Sequence, residues 1–183
     1  MKKALFNVME LSGILFTMAA ATVLRNLYTS LGGNTVGVLF GSVNSSVWER
    51  LKPIILCYIL YGLLELMAAR PYFRQFVAAK ALGLYSAAGV FIVLSYILPE
   101  EFSAVTALSA LASGFLLSRF LTLWDKSLSF FFTAACLMLL LMFIMYFSFS
   151  AFPPRLDIFL DRESSMYGII PDYIDIGAVF LSN

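Results

Sequence analysis

Five stretches of about twenty mostly apolar residues, separated by charges, prolines and glycines, dominate this 183-residue chain. A run of that length is what an α-helix needs to cross the roughly 30 Å hydrocarbon core of a bilayer. The stretches run from about Leu5 to Leu27, Trp48 to Ala69, Pro71 to Leu98, Ser103 to Leu123 and Leu128 to Phe149. Pro99-Glu100-Glu101 stops the third, and Pro153-Pro154 stops the fifth. Hydrophobic residues make up 61% of the chain and charged residues 13%, against about 45–50% and ~25% in soluble domains. A chain this small has too much surface to hide such an excess, so lipid must accept it. The expectation is an all-α integral membrane helix bundle of about five transmembrane helices, multi-pass in the cell membrane, with the lipid bilayer as its first partner.

Several chemistries drop out early. The chain has no histidine, which removes most zinc hydrolase sites, Ser-His and Cys-His nucleophiles and haem ligation through His. Cys57 and Cys136 lie in apolar runs and read as small buried side chains. No catalytic residue, metal ligand set or cofactor is indicated. Net charge is +1 and the basic residues are scattered, so no nucleic-acid partner is expected. Lys2, Lys3 and the small residues Ala19, Ala20 and Ala21 imitate a signal peptide, but Glu10 interrupts the apolar stretch. The segment reads as a retained first helix.

Lysine and arginine in short loops set orientation. With the N-terminus cytoplasmic, the inner ends hold Lys2, Lys3, Arg70, Arg74, Arg119 and Lys126, and the outer ends hold Arg25, Arg50, Lys52, Arg155 and Arg162. The small excess favours this orientation, which places the C-terminus outside. The chain then divides into a transmembrane bundle over residues 1–151 and an ordered extracytoplasmic cap over residues 152–183, including the short apolar run Tyr173 to Leu181. Residues 33–43 are apolar yet too short to span, so they form either a re-entrant segment or a loop at the interface, with Gly32 and Gly33 ending the first helix.

Small residues mark where membrane helices touch. Ala79, Gly83 and Ala87 on the third helix, and Thr106, Ala110, Gly114 and Ser118 on the fourth, recur every four residues. These two helices are expected to pack together. The fifth is large and apolar all round and should face lipid most.

The densest polar motif is NSSVWERLKP, Asn44 to Pro53. Ser46 and Glu49 have capping-box spacing, Trp48 suits an interfacial anchor, and Pro53 falls in the first turns of the helix. Cap and anchor account for part of it. The clustering of Asn44, Ser46, Trp48, Glu49, Arg50 and Lys52 at a membrane boundary also suits a binding site on the outer face, completed by Asp157, Asp161 and Tyr167 from the tail. The chain here resembles a group of small bacterial multi-pass membrane proteins of unknown function. Their motif is Asn-Glu-Ser-x-Trp-Glu-His-x-Lys at the head of the second helix, followed near the C-terminus by Pro-Pro, an Asp-containing segment and Tyr-Gly-Ile. The matches are Asn44, Ser46, Trp48, Glu49 and Lys52, then Pro153, Pro154, Asp161, Tyr167, Gly168 and Ile169. The departures are Ser45 for Glu and Arg50 for His. The resemblance implies no activity.

A second polar set lies nearer the inner side: Glu10 with Asn7 and Thr17 on the first helix, Tyr61 and Glu65 with Tyr58 on the second, Lys80 on the third and Arg119 on the fourth. A charge at the bilayer centre costs about 2.5–3.5 kcal/mol by insertion scales, so such groups pair, snorkel or face a cavity. Glu65–Lys80 and Glu10–Arg119 are the expected pairs. Three functions fit. The chain binds or transports a small solute or lipid headgroup; it is a non-catalytic subunit or scaffold that docks a membrane-protein partner or a second copy of itself; or it is an enzyme on a lipid-linked substrate, using Glu49, Asp157 and Asp161. A cavity beside Glu65 and Lys80 would favour the first.

Overall fold

The computed structural model describes residues 3–124 and 127–169. Lys2, Lys126 and the run Tyr173 to Leu181 lie outside the described residues. Among the described residues seven α-helices follow in order: α1 Lys3–Arg25, α2 Leu27–Ser30, α3 Thr35–Phe40, α4 Val47–Ala69, α5 Phe73–Ile97, α6 Ser103–Leu123 and α7 Phe132–Ala151. Among the described residues five helices are long and apolar enough to cross a membrane. They are α1, α4, α5, α6 with its preceding turn, and α7. The chain is an all-α multi-pass membrane bundle.

The five long helices alternate in direction. At one end, here called proximal, Phe6 of α1 packs with Ala69 of α4 and Phe76 of α5. At the other, distal end, Arg50 of α4 reaches Glu100 before α6. α4 ends because Arg70 turns left-handed, with φ of 48°, ahead of Pro71. Gln75 at the start of α5 closes the neighbouring helix end: its Nε2 donates to the carbonyls of Leu121, Thr122 and Trp124 at 3.0–3.2 Å.

α5 and α6 form the tightest pair, as their small-residue stripes predict. A Cβ added to Gly83 would stand 2.6 Å from the carbonyl oxygen of Gly114, and one added to Gly114 would stand 2.9 Å from that of Gly83. Only paired glycines permit this approach of two backbones. α7 is the least enclosed of the five. Cys57 is buried, but Cys136 on α7 is exposed rather than buried, because α7 turns most of its circumference outward.

Residues 33–43 form the single short helix α3 and its flanks. Gly32 and Gly33 do not end α1. That helix stops at Arg25, α2 adds a turn, and the two glycines, with φ of 64° and 72°, end α2 instead. α3 then folds back on α2. A Cβ on Gly37 would lie 2.8 Å from Tyr28 Cα, and one on Gly41 would lie 2.7 Å from Tyr28 N. The described part of the tail is ordered. Phe159 wedges between Trp48 and Phe149, with ring centroids at 5.6 and 5.0 Å.

Candidate functional site

The head of α4 gathers the motif residues, and almost every polar atom there has a structural task. Ser46 Oγ accepts from Glu49 N at 3.3 Å, which is the first half of the expected capping box. The donor of the reciprocal half, Ser46 N, turns to Asn44 Oδ1 at 2.9 Å. Glu49 Oε2 accepts from Val43 N at 3.0 Å and Lys52 Nζ at 3.1 Å. The carboxylate turns along the helix toward Lys52, which is fully buried and offers it a charge. Lys52 also donates to Val38 O at 3.1 Å, which ties α3 to α4.

Pro53 lacks the N–H that would bond the carbonyl of Glu49, four residues back. Ser42 Oγ supplies that donor at 2.6 Å. Trp48 is not an interfacial anchor. It is 5% exposed and sits inside the ring cluster with Phe149 and Phe159.

The tail reaches this head through Asn44, Asp161 and Ser45, of which Ser45 was not in the expected set. Asn44 Nδ2 donates to Gly168 O at 2.9 Å. Asp161 Oδ1 accepts from Ser45 N at 2.8 Å and from the Ser45 hydroxyl, and Oδ2 accepts from Ser164 N and Oγ at 2.9 and 2.6 Å. Burial pushes the Asp161 carboxyl up, and these hydrogen bonds from Ser164 and Ser45 outweigh it, holding it below the ordinary carboxylate range. Ser45, read in the sequence only as a departure from the related motif, is thus the principal clasp. Tyr167 contributes backbone, through its bridge to Leu160. Asp157 is exposed, and Arg50 turns to Glu100, not to the tail carboxylates. Of the expected outer set, Asp161 is thus taken up by hydroxyl and amide bonds, and Arg50 faces Glu100 instead.

The proximal half holds a different arrangement. Glu10 of α1, Glu65 of α4 and Lys80 of α5 are 1%, 0% and 6% exposed. Lys80 Nζ lies 3.1 Å from Glu10 Oε1 and pairs more closely still with Glu65 Oε2. Ser118 Oγ of α6 donates to Glu10 Oε1 at 2.7 Å. Four helices thus converge on one charge cluster. At 1.5 Å per residue, Glu10 and Lys80 lie roughly 10 Å in from their helix starts. Rings of Phe115, Tyr58 and Phe76 surround the ammonium, with centroids at 4.5, 5.1 and 5.6 Å. Their faces attract the cation and keep competing polar groups away.

The Glu65–Lys80 pair is present. The Glu10–Arg119 pair is not: Arg119 Nε donates to Asn7 Oδ1 at 3.0 Å, and Glu10 joins Lys80. The lysine, deeper in the bundle, outcompetes an arginine that can reach the headgroups. Tyr61 stands beside the cluster, exchanging a hydrogen bond with Ser12 Oγ and donating to Met9 O, both at 2.8 Å. It fastens α4 to α1. Sequence reading missed Ser118 as a partner, although its place on the small-residue stripe pointed inward.

A cavity of about 220 Å³ opens beside this cluster between α4, α5 and α7. Its walls include Gly62, Leu66, Phe76 and Leu84, its rim the exposed Leu63 and Phe73, and Lys80 and Tyr58 form part of its lining. A Cβ on Gly62 would stand 3.7 Å from Lys80 Cδ. The absent side chain at Gly62 is part of what leaves the space open.

The model of the family DUF6512, described as a family of unknown function, matches residues 3–169. No curated protein and no solved structure matches the chain.

Proposed function

We propose, for a chain that belongs to the DUF6512 family and is a multi-pass membrane protein, that it binds a small lipophilic solute in the cavity between α4, α5 and α7 and couples occupancy to a proton on the Glu10–Lys80–Glu65 cluster. The observation that carries this reading is two carboxylates sharing one ammonium at the side of an apolar cavity. Fully ionised, the three groups sum to −1. An uncompensated buried charge is far costlier than a neutral set, so the favoured state holds one proton between the carboxylates. Arg119 adds a weaker attraction on Glu10 from near the helix end, and Tyr58 flanks the site. A solute that brings a cationic end to the cavity exchanges for that proton and keeps the cluster neutral. One with no polar end is held by the walls alone.

The proximal end, which carries Lys3, Arg70, Arg74 and Arg119, lies in the cytoplasm of the cell under this reading, and the head of α4 with its clasped tail lies outside. A pure scaffold calls for dry packing, which the cavity disfavours. The lipid-linked enzyme needs free outer carboxylates. Of its three carboxylates, Glu49 and Asp161 are already engaged by Lys52 and Ser45, and Asp157 alone stays exposed.

Native mass spectrometry of the full chain released from nanodiscs tests the solute reading. The wild type should carry a small co-purifying molecule, and Gly62→Phe, which fills the cavity, should lose it. Identical spectra for the two would remove the proposal.

A further inference from the structure

Arg50 is the one motif residue that the head of α4 does not use for its own architecture. It is 8% exposed, yet its Nε has no acceptor among the described residues. Its Nη1 lies 3.5 Å from Glu100 Oε1, and Arg162 Nη1 lies 3.6 Å from the same oxygen. Both contacts are longer than the roughly 2.7–2.9 Å of a charge-assisted hydrogen bond. Arg162 is held in place by a second bond, Nη2 to Ser95 O at 3.1 Å.

Arg50 and Arg25 both line a second cavity, of about 250 Å³, at the distal end between α1, α4, α5 and α6. The charges of Arg25 and Arg162 repel that of Arg50. Two guanidinium groups therefore share one carboxylate, and a third, that of Arg25, stands close enough to repel Arg50. Thr22 and Ser103 add hydroxyls to the lining, Ile54 and Phe91 give it an apolar floor, and the exposed Thr22, Arg25 and Ala104 form its mouth.

From this we infer that the distal cavity between α1 and α6 is a binding site for the phosphate group of an anionic phospholipid, with Arg50 and Arg25 as its cationic walls. The charge excess selects an anion, and guanidinium is the group that matches phosphate by paired donors. The apolar floor leading away from the arginines suits the start of an acyl chain, and the position at a helix end suits a headgroup at the membrane surface. This site stands apart from the Lys80 cavity and does not depend on it.

The test uses the full chain in nanodiscs of phosphatidylcholine with a minor share of phosphatidylglycerol, and counts lipids retained after release by native mass spectrometry. The wild type should keep one phosphatidylglycerol per chain, enriched about tenfold over its share in the disc, the scale of one lost charge-assisted contact. Arg25→Gln, on an exposed side chain, and Ala104→Trp, at the mouth, should each return retention to the bulk share with an unchanged melting temperature. Added inorganic phosphate should leave the lipid in place. Equal retention of both lipids, enrichment that survives both substitutions, or displacement by inorganic phosphate would each overturn the inference.

Discussion

The hydroxyl of Ser42 donates to the carbonyl of Glu49 at 2.6 Å, the acceptor that Pro53 leaves without its helical partner. A proline seven residues into α4 is thereby tolerated, and the loop before the helix is pinned to it. Ser42→Ala should destabilise the chain by about 1 kcal/mol, the scale of one lost intramolecular hydrogen bond. Pro53→Ala restores the N–H, so in that background Ser42→Ala should cost almost nothing. Thermal unfolding in detergent across the four proteins of this double-mutant cycle measures the coupling, and simple additivity would show that the hydroxyl does not serve this carbonyl.

Docking of the tail should depend on acid. Asp161 titrates lower when clasped by Ser45 and Ser164 than when free. Its contribution is therefore complete above the free value, near 3.9, and fades as pH falls through the lower docked value. Trp48 touches Phe159 of the tail, so Trp48 fluorescence in a Trp124→Phe background reports docking. The expected outcome is an emission shift below about pH 4 that Asp161→Asn abolishes, leaving a looser tail at every pH.

The α5–α6 contact should be intolerant of bulk. Gly83→Val places two methyl groups where Gly114 O already stands 2.6 Å from a Cβ. Overpacking of this kind costs about 1–3 kcal/mol or more. Gly89→Val, on the same helix with open space around it, should be far milder. A reversal of that order in melting temperature would refute the close-packed seam.

Helix number, the α5–α6 pairing and the outward face of α7 were legible in the sequence because lipid imposes long apolar runs, and close helix contact imposes small residues every four positions. The Glu65–Lys80 pair was legible because buried charges must be matched. The choice of partner for Glu10 was not, since spacing along one helix says nothing about which of two cations on two other helices lies deeper. Ser45 and Ser42 escaped notice for a related reason. Hydroxyls bond wherever the chain brings an acceptor, and their targets, Asp161 and the Glu49 carbonyl, are set by a tail 116 residues away and by the absence of a donor at Pro53. Trp48 was misplaced because an amphipathic ring at a helix head suits an interface until an aromatic tail covers it.

The buried cluster of Glu10, Glu65 and Lys80 is the central claim, and counting its protons tests it most directly. Infrared difference spectroscopy of the full chain in nanodiscs, with glutamate carbon-13 labelled, distinguishes protonated from ionised carboxyls. At neutral pH the account predicts one protonated glutamate per chain in the wild type and two in Lys80→Met, where neither acid retains its cation. A wild type with no protonated glutamate, or a Lys80→Met protein whose carboxyls all remain ionised, would contradict it.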